Sequence, residues 1–357
     1  MAPSEPVRGG AVPGQGRRRL TLQDIADAAG VSPGLVSMVL RGRPGPNADT
    51  AARVTEVAQR LGYRANRTAS QLASRRTRLL GVTMTPGNPY HGELVEEILQ
   101  RTHERGYEVL LSPVTRTHEE LSSIQTLVDS RCEVVVLLNS TLTTQQLTTA
   151  LDGVPAVCVG RPLDVPDVDV VRTDDITAMG LLVDHLVGLG HTSIAHVDGG
   201  GDYLPEVRRL GYEEAMHRHG LTPLVLPGGE TEQHGAEAAA DLLRHDVTAA
   251  VTYNDLCAVG LMDRLQKLGV RIPDDLSVTG FDDDRLSGLH GIDLTTIDPS
   301  KLEQARLAVD WAVQRIEEER SERAVHDFPP RLVVRGSSGP VPQRRSRRMA
   351  AARAAEG

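Results

Sequence analysis

The 357-residue sequence predicts an α/β protein with an all-α head and a two-lobed body built on parallel sheets. Residues 21–61 hold three short segments with apolar residues at helical spacing, separated by turn signals. From Leu79 onward, short apolar runs alternate with amphipathic segments, as in parallel strands covered by helices. About 260 residues of this second type are too many for one such sheet and favour two lobes.

The head opens with TLQDIADAAGVSPGLVSMVLR at residues 21–41, which predicts two short helices joined by a tight turn. Thr21 is placed to cap the first helix, with an acidic residue at capping-box spacing. Gly30 suits the left-handed residue that ends a helix. Ser32 can cap the second helix, with Pro33 in its first turn. This is the pattern of a helix-turn-helix, whose second helix reads base edges in DNA. The alternative is an ordinary pair of amphipathic helices.

A third helix follows, capped by Asn47 or Asp49 and ended by Gly62. Asn66 can then cap a short fourth helix that runs to about Ser74. A helix of this length is not stable alone in water. It is expected to fold only against a twin helix of a second subunit, against DNA, or against both.

Charge separates the head from the body. Residues 1–78 contain 13 Arg and no Lys against five acidic residues, a net charge of +8. The whole chain carries −9, so the remainder carries −17. A basic head on an acidic body is expected where one end of a protein meets phosphate groups.

Residues 21–78 resemble the lactose-repressor (LacI/GalR) family of bacterial transcription regulators. The TLxDIAxxAGVSxxxVSxVLxG frame and the YxxNxxAxxL segment carry the resemblance, which continues to about Arg335. It implies a homodimer that binds a near-palindromic operator in double-stranded DNA. It also implies control by a small-molecule effector, although an orphan regulator without an effector is an alternative.

By this resemblance, the second helix reads bases in the major groove through Pro33, Gly34 and Met38. The family commonly has Arg where Met38 stands, and Met cannot make the bidentate contact of Arg with guanine. We therefore expect more apolar contact and less hydrogen-bonded readout. The candidate DNA-binding residues are Thr21, Leu22, Ser32, Pro33, Gly34, Ser37, Met38, Arg41, Asn66, Arg67 and Leu72.

Leu72 matches the family's hinge leucine, which wedges between base steps in the minor groove and kinks the duplex. A contact between paired hinge helices is a second role, and the two are compatible. The family usually has Pro where Ala65 stands, so we expect a looser entry into this helix.

In the body, strands are predicted at 79–84, 107–112, 133–138, 155–160, 193–198, 248–253 and 276–281. Predicted helices include 93–105, 121–131, 178–189, 206–219, 235–244 and 256–268. The first crossing between lobes is expected near 171–175 or 198–202. A second is expected near 282–291, with the chain returning through 294–297. This arrangement resembles the two-lobed periplasmic-binding-protein fold, in which ligands bind at the carboxyl ends of the strands.

Polar residues near these strand ends are candidates for effector binding: Tyr90, Asp175, Arg208, Asn254, Asp255 and Asp282. By resemblance, Arg208, Asn254 and Asp282 are the positions most often used. An arginine with acids and amides suits a polyhydroxyl ligand such as a sugar. Helix capping is the alternative role for the Asn and Asp residues, and a solvated helix position is the alternative for Arg208. His191 is expected to be structural.

No enzyme motif is visible. The chain has no G-x-S-x-G elbow, no G-x-G-x-x-G after a strand and no P-loop. Cys132, Cys158 and Cys257 lie in or near apolar runs, which predicts buried, reduced thiols. The 12 His show no metal-ligand spacing. We therefore expect no enzymatic activity and no cofactor or metal.

Neither a signal peptide nor a stretch of transmembrane length is present, which predicts a cytoplasmic, nucleoid-associated protein without a membrane partner. An exported solute-binding protein would share the body but lack residues 20–76.

The predicted domains are a disordered arm (1–19), a helix-turn-helix domain (20–64), a hinge helix with linker (65–78), a two-lobed effector-binding and dimerisation domain (79–338) and a disordered basic tail (339–357). The tail has no leucine heptad, so a dimer is favoured over a tetramer. Its arginines are a possible source of non-specific DNA affinity.

Overall fold

The computed structural model describes residues 20–40, 44–63, 76–201, 203–318, 320, 322–342, 351, 352 and 354. The chain divides into two compact units, Met1–Arg76 and Thr77–Gly357. We call them the head and the body.

The head contains helices α1 (Leu22–Ala29), α2 (Pro33–Leu40) and α3 (Ala48–Leu61). Their ends follow the predicted local signals. Thr21 Oγ1 accepts from Asp24 N at 3.3 Å while Thr21 N donates to Asp24 Oδ2 at 2.6 Å, a complete capping box. Gly30 has φ of 65°, the left-handed conformation that turns the chain into α2. Asn47, rather than Asp49, caps α3.

A small apolar core joins the three helices of the head. Its fully or nearly buried members come from one face of each helix, and Tyr63 packs against them. They are Ile25, Ala26, Ala29, Val36, Val54, Val57 and Ala58. The predicted helical periodicity of this segment is therefore confirmed.

The first lobe of the body is built on a six-stranded parallel sheet in the order β11-β5-β4-β3-β1-β2. The strands are β1 (Leu79–Met84), β2 (Glu108–Pro113), β3 (Val134–Leu138), β4 (Ala156–Val159), β5 (Val168–Thr173) and β11 (Val325–Phe328). The helices of this lobe are α4 (Pro89–Glu104), α5 (Glu120–Asp129), α6 (Thr144–Leu151) and α11 (Lys301–Glu317). Helices α4 and α11 cover one face, and α5 and α6 cover the other.

The second lobe has a four-stranded parallel sheet in the order β7-β6-β8-β9. These strands are β6 (Ile194–Val197), β7 (Leu224–Leu226), β8 (Ala249–Thr252) and β9 (Ser277–Thr279). The helices are α7 (Asp175–Gly188), α8 (Tyr203–Arg218), α9 (Glu232–Arg244) and α10 (Asp255–Lys267). An antiparallel pair, β10 (Thr296–Asp298) and β12 (Arg331–Val333), completes the list.

The chain passes between the lobes at three places: between β5 and α7, between β10 and α11, and between β11 and β12. The crossing predicted near 171–175 is confirmed. The crossing predicted near 282–291 is wrong, because Asp282 N donates to Ile297 O at 3.0 Å and keeps that segment on the second lobe. The expected return through 294–297 is also wrong, since Leu294 and Ile297 lie in second-lobe cores.

Five strands were not predicted, and β5 shows why. Its Asp169 is fully buried and interrupts the apolar run. Arg315 on α11 donates to both oxygens of this carboxylate, at 3.0 and 2.8 Å. A partner so distant in sequence makes the buried charge tolerable.

The folded body extends past residue 338. His191 is buried, with Nε2 2.9 Å from Gly339 O and Nδ1 2.8 Å from Thr248 Oγ1, which confirms its structural role. Val341 N donates to Leu189 O at 3.0 Å. Residues 339–342 are therefore packed rather than disordered, a correction to the predicted boundary of the tail.

All three cysteines are buried and unpaired, as predicted. Within the described ranges, no helix is long and apolar enough to cross a bilayer.

Candidate functional site

Four of the residues predicted to contact DNA are exposed where α1 and α2 begin. Thr21, Ser32, Pro33 and Gly34 are exposed. The hydroxyl groups of Thr21 and Ser32 also accept the capping hydrogen bonds of their helices. A loop-to-helix start of this kind exposes backbone N–H groups that suit phosphate.

Three further candidates are only half-buried: Leu22, Ser37 and Met38. Leu22 packs against the core of the head. The Met38 methyl group lies 3.0 Å from where a Cβ atom on Gly45 would stand, so it packs on the loop before α3. Four candidates lie outside the described residues: Arg41, Asn66, Arg67 and Leu72.

The body contains a cavity of about 150 Å³ between its two lobes. At 10–15 Å³ per water this space holds roughly ten waters, room for a ligand the size of a monosaccharide. Its lining residues follow the carboxyl ends of strands or begin helices, the placement expected in a doubly wound sheet. They are Thr85, Asn88, Tyr90, His91, Asn139, Ser140, Thr141 and Arg161 from the first lobe, and Tyr203, Leu204, Pro205, Arg208, Glu230, Tyr253, Asn254 and Asp282 from the second.

Arg208 on α8 is the most constrained charge in the cavity. Its Nε donates to Asp175 Oδ1 at 2.9 Å, and its Nη1 donates to Tyr253 O at 2.7 Å. Its guanidinium carbon lies 3.5 Å from the ring centroid of Phe281. The guanidinium is therefore fixed in orientation, which suits it to recognise a ligand hydroxyl.

Asp282 follows β9 and approaches the same guanidinium, with 3.6 Å between its Oδ1 and Arg208 Nη2. Burial raises the pKa of Asp282 to about 7, although the positive charges of Arg208 and Lys301 lower it. Its φ of 112° is unusual for a residue with a side chain. Strain of this kind is found where the surrounding structure holds a functional group in place.

Two of the predicted effector residues do not line the cavity. Asp175 lies behind Arg208 and orients it. Asp255 accepts from Thr296 Oγ1 at 2.6 Å and from Asp284 N at 2.9 Å, so it braces the loop after β9. The predicted placement of Asp175 and Asp255 in the wall of the cavity is therefore wrong, because each side chain contacts a tertiary partner instead.

Asn254 caps a helix and also lines the cavity. Its Oδ1 accepts from Cys257 N at 2.9 Å, the capping bond of α10. Its Nδ2 donates to Glu230 O at 3.0 Å. The residue also lines the cavity.

Sequence reasoning missed most of the first-lobe wall. Asn139 and Ser140 follow β3, and Arg161 follows β4. The polar stretches after these apolar strands were the available signal. Gly160 has φ of 101°, and a Cβ atom there would lie 1.9 Å from Asn139 Oδ1, so only glycine lets the amide occupy this space.

His91 also belongs to this wall. Thr85 N donates to its Nδ1 at 2.9 Å, so the neutral ring carries its proton on Nε2. Asn139 Nδ2 lies 3.3 Å from Nε2, and because both atoms then carry hydrogens this contact is not a hydrogen bond. Burial lowers the pKa of His91 to about 4, and the ring is neutral at pH 7. In the part of the chain that the structure describes, no group of His, Cys, Asp and Glu is arranged to hold a metal ion.

Comparison with known proteins matches both units. The family model of bacterial regulatory proteins of the lacI family matches residues 21–66, and that of a periplasmic binding protein-like domain matches residues 183–338. The ribose operon repressor of Escherichia coli K12 is 30% identical over 329 residues, which cover 89% of this chain and 99% of that protein.

Two solved structures are similar over most of the chain. A LacI transcriptional regulator from a Rhodococcus species is 40% identical, covers 74% of this chain and 100% of its own, and has a TM-score of 0.72. The lac repressor dimer bound to operator and the anti-inducer ONPF is 26% identical, covers 90% and 100%, and has a TM-score of 0.80. The chain therefore belongs to the lacI family of bacterial regulatory proteins.

Proposed function

We propose that this protein is a transcriptional repressor that binds a near-palindromic operator as a homodimer and is controlled by a polyhydroxyl small molecule, such as a sugar. The observation that carries the proposal is the cavity around Arg208, in a chain that also carries a helix-turn-helix. The fixed guanidinium of Arg208 offers donors to ligand hydroxyl groups, and the neighbouring carboxyl group of Asp282 offers acceptors. Tyr90 and Tyr253 add aromatic surface.

Asp282 also connects the cavity to the first lobe. Lys301 Nζ, at the start of α11, donates to Asp282 O at 3.0 Å and pairs with Glu93 Oε2 on α4 at 2.9 Å. A ligand that changes the position of Asp282 therefore acts on a buried ion pair of the first lobe. In our proposal this two-state contact couples effector binding to the angle between the lobes, and thereby to operator binding.

We further infer that the cavity binds its ligand without transforming it. Among the lining residues that the structure describes, no hydroxyl group is hydrogen-bonded to a histidine, so a nucleophile with its base is not assembled. The protein is proposed to act in the cytoplasm, where its operator would be.

The test has two steps. Selection from random duplex oligonucleotides identifies the operator, and fluorescence anisotropy then measures its affinity with and without a panel of sugars. We expect a preferred inverted repeat and at least one sugar that changes operator affinity. Selection without any sequence preference contradicts the proposal. A preferred operator with no responding small molecule would instead indicate the orphan regulator.

A further inference from the structure

We propose that the cavity contains an anion-binding subsite centred on Arg161, so that the effector is a polyhydroxyl molecule carrying a phosphate or carboxylate group. The inference rests on the proposed role of the cavity as the effector site. It extends that role by assigning a charge to the ligand.

Arg161 differs from Arg208 in whether a carboxylate pairs with its guanidinium. Arg208 has carboxylate oxygens at 2.9 and 3.6 Å, from Asp175 and Asp282. Among the described residues, no carboxylate lies within 4 Å of the guanidinium of Arg161. Its Nη1 donates to Ser140 O at 2.9 Å, while its Nε is buried and has no hydrogen-bond partner. The cavity thus holds an arginine whose charge is unpaired.

A second buried polar atom without a hydrogen-bond partner among the described residues lies on Ser140, next to Arg161. The hydroxyl oxygen of Ser140 is buried and also has no hydrogen-bond partner. Both residues line the cavity. Buried polar atoms in native proteins are nearly always paired, and leaving one unpaired is destabilising. An oxyanion in the cavity would accept from Nη2 of Arg161, which forms no hydrogen bond with a described residue.

The nearby acid does not occupy this site. Glu120 Oε2 accepts from Thr141 N at 2.8 Å and from Thr141 Oγ1 at 3.1 Å. Its Oε1 is buried and has no hydrogen-bond partner among the described residues, and Glu120 does not line the cavity, so a ligand in the cavity meets Arg161 and not this carboxylate.

The two walls of the cavity carry different charged groups: the second lobe contributes Arg208 together with two acidic residues, and the first lobe contributes Arg161. Its described acidic lining residues, Glu230 and Asp282, both belong to the second lobe. The first-lobe wall presents Arg161, Ser140 and the Nε2–H of His91. A ligand with an anionic group at one end and hydroxyl groups at the other matches this polarity.

Arg161 also reaches the opposite lobe. Its guanidinium carbon lies 5.6 Å from the ring centroid of Tyr203, in the first turn of α8. An anion bound at Arg161 therefore sits where the two lobes meet, in the position from which a ligand can influence the angle between them.

Isothermal titration of the full chain at constant ionic strength tests the subsite with two matched pairs of probes. The first pair is ribose and ribose 5-phosphate, and the second is glucose and glucuronate. We expect at least one anionic probe to bind about tenfold more tightly than its neutral parent, the size of one charge-assisted contact. The two pairs separate phosphate from carboxylate recognition.

Substitutions then test whether Arg161 causes the preference for anionic probes. Arg161→Gln is expected to remove it, and Arg161→Lys to retain part of it. Arg244→Gln, which removes an exposed arginine on α9, should leave it unchanged. The comparison of anionic with neutral probes uses the wild-type protein, so it remains valid even if a substitution at Arg161 impairs folding.

Two results would overturn the subsite and leave the proposed function intact: neutral probes that bind as tightly as their anionic partners, or an undiminished preference in Arg161→Gln. Failure of every probe to bind would count against the subsite and the effector role together.

Discussion

Arg208 and Asp175 form a buried ion pair, with 2.9 Å between Nε and Oδ1 and side chains only 8% and 7% exposed. Asp175 is the first residue of α7 and Arg208 lies within α8, so the pair fastens two helices of the second lobe and aims the guanidinium at the cavity. A charge fixed in this way is pre-organised for a ligand, but it depends on its partner.

Asp175→Asn should therefore lower effector affinity and stability together. Loss of one charge from a buried pair typically costs about 3–5 kcal/mol of folding free energy. Urea denaturation measures the stability, and titration calorimetry measures effector affinity. Asp184→Asn, which affects the exposed pair of Asp184 with Arg218, is the matched control and should change neither quantity appreciably. Unchanged effector affinity in Asp175→Asn would refute the positioning role.

Ionisation of Asp282 should lower the free energy of unfolding as pH rises from about 4 to about 7. Burial raises the pKa of its carboxyl group from 3.8 to about 7. Over this range the folded state keeps a proton that the unfolded state has lost, so the free energy of unfolding falls as pH rises. Asp282→Asn removes this proton linkage and should gain stability relative to the wild type as pH rises from about 4 to about 7.

Urea denaturation of both proteins across that range is the measurement. Asp263→Asn on the surface of α10 is the control and should follow the wild-type curve. A stability difference between Asp282→Asn and the wild type that does not vary with pH would contradict the raised pKa.

Asp282→Ala is expected to abolish the response to effector while leaving operator binding intact. The side chain faces Arg208 in the cavity, and its backbone carbonyl holds Lys301 at the lobe crossing. Operator affinity with and without effector is the readout, and Asp263→Ala is the control. A normal effector response in Asp282→Ala would place the site elsewhere.

Leu72→Ala is expected to weaken operator binding strongly without unfolding the protein. Insertion of an apolar wedge between base steps is worth a few kcal/mol, which alanine is too small to supply. Anisotropy with the selected operator measures the loss, and circular dichroism checks the fold. Leu289→Ala, an exposed leucine of the body, is the control. Equal affinities for Leu72→Ala and the wild type would eliminate the wedge.

Operator affinity should also fall steeply with salt, because residues 1–78 carry 13 Arg and binding releases counterions from phosphates. With six or more phosphate contacts, affinity is expected to drop about a thousandfold between 50 and 200 mM salt. A flat salt curve at the selected operator would show that phosphate contacts do not dominate.

The local structure of the head and most of the parallel strands could be predicted from neighbouring residues along the chain. The caps at Thr21 and Asn47 and the left-handed turn at Gly30 depend on groups within a few residues, so a single sequence contains the whole interaction. Apolar strands such as β3 are buried on both faces, so they can be predicted from their own residues without knowledge of their partners.

Which polar side chains share the cavity depends on contacts between distant parts of the chain and could not be predicted in full. Arg208, Asn254 and Asp282 were found from the sequence, but Asp175 and Asp255 proved to be supports rather than lining residues. Whether a carboxylate meets a ligand or a neighbouring donor depends on elements far away in the chain. Arg161 shows the same dependence, since its charge is notable only because none of the described carboxylates pairs with it in space.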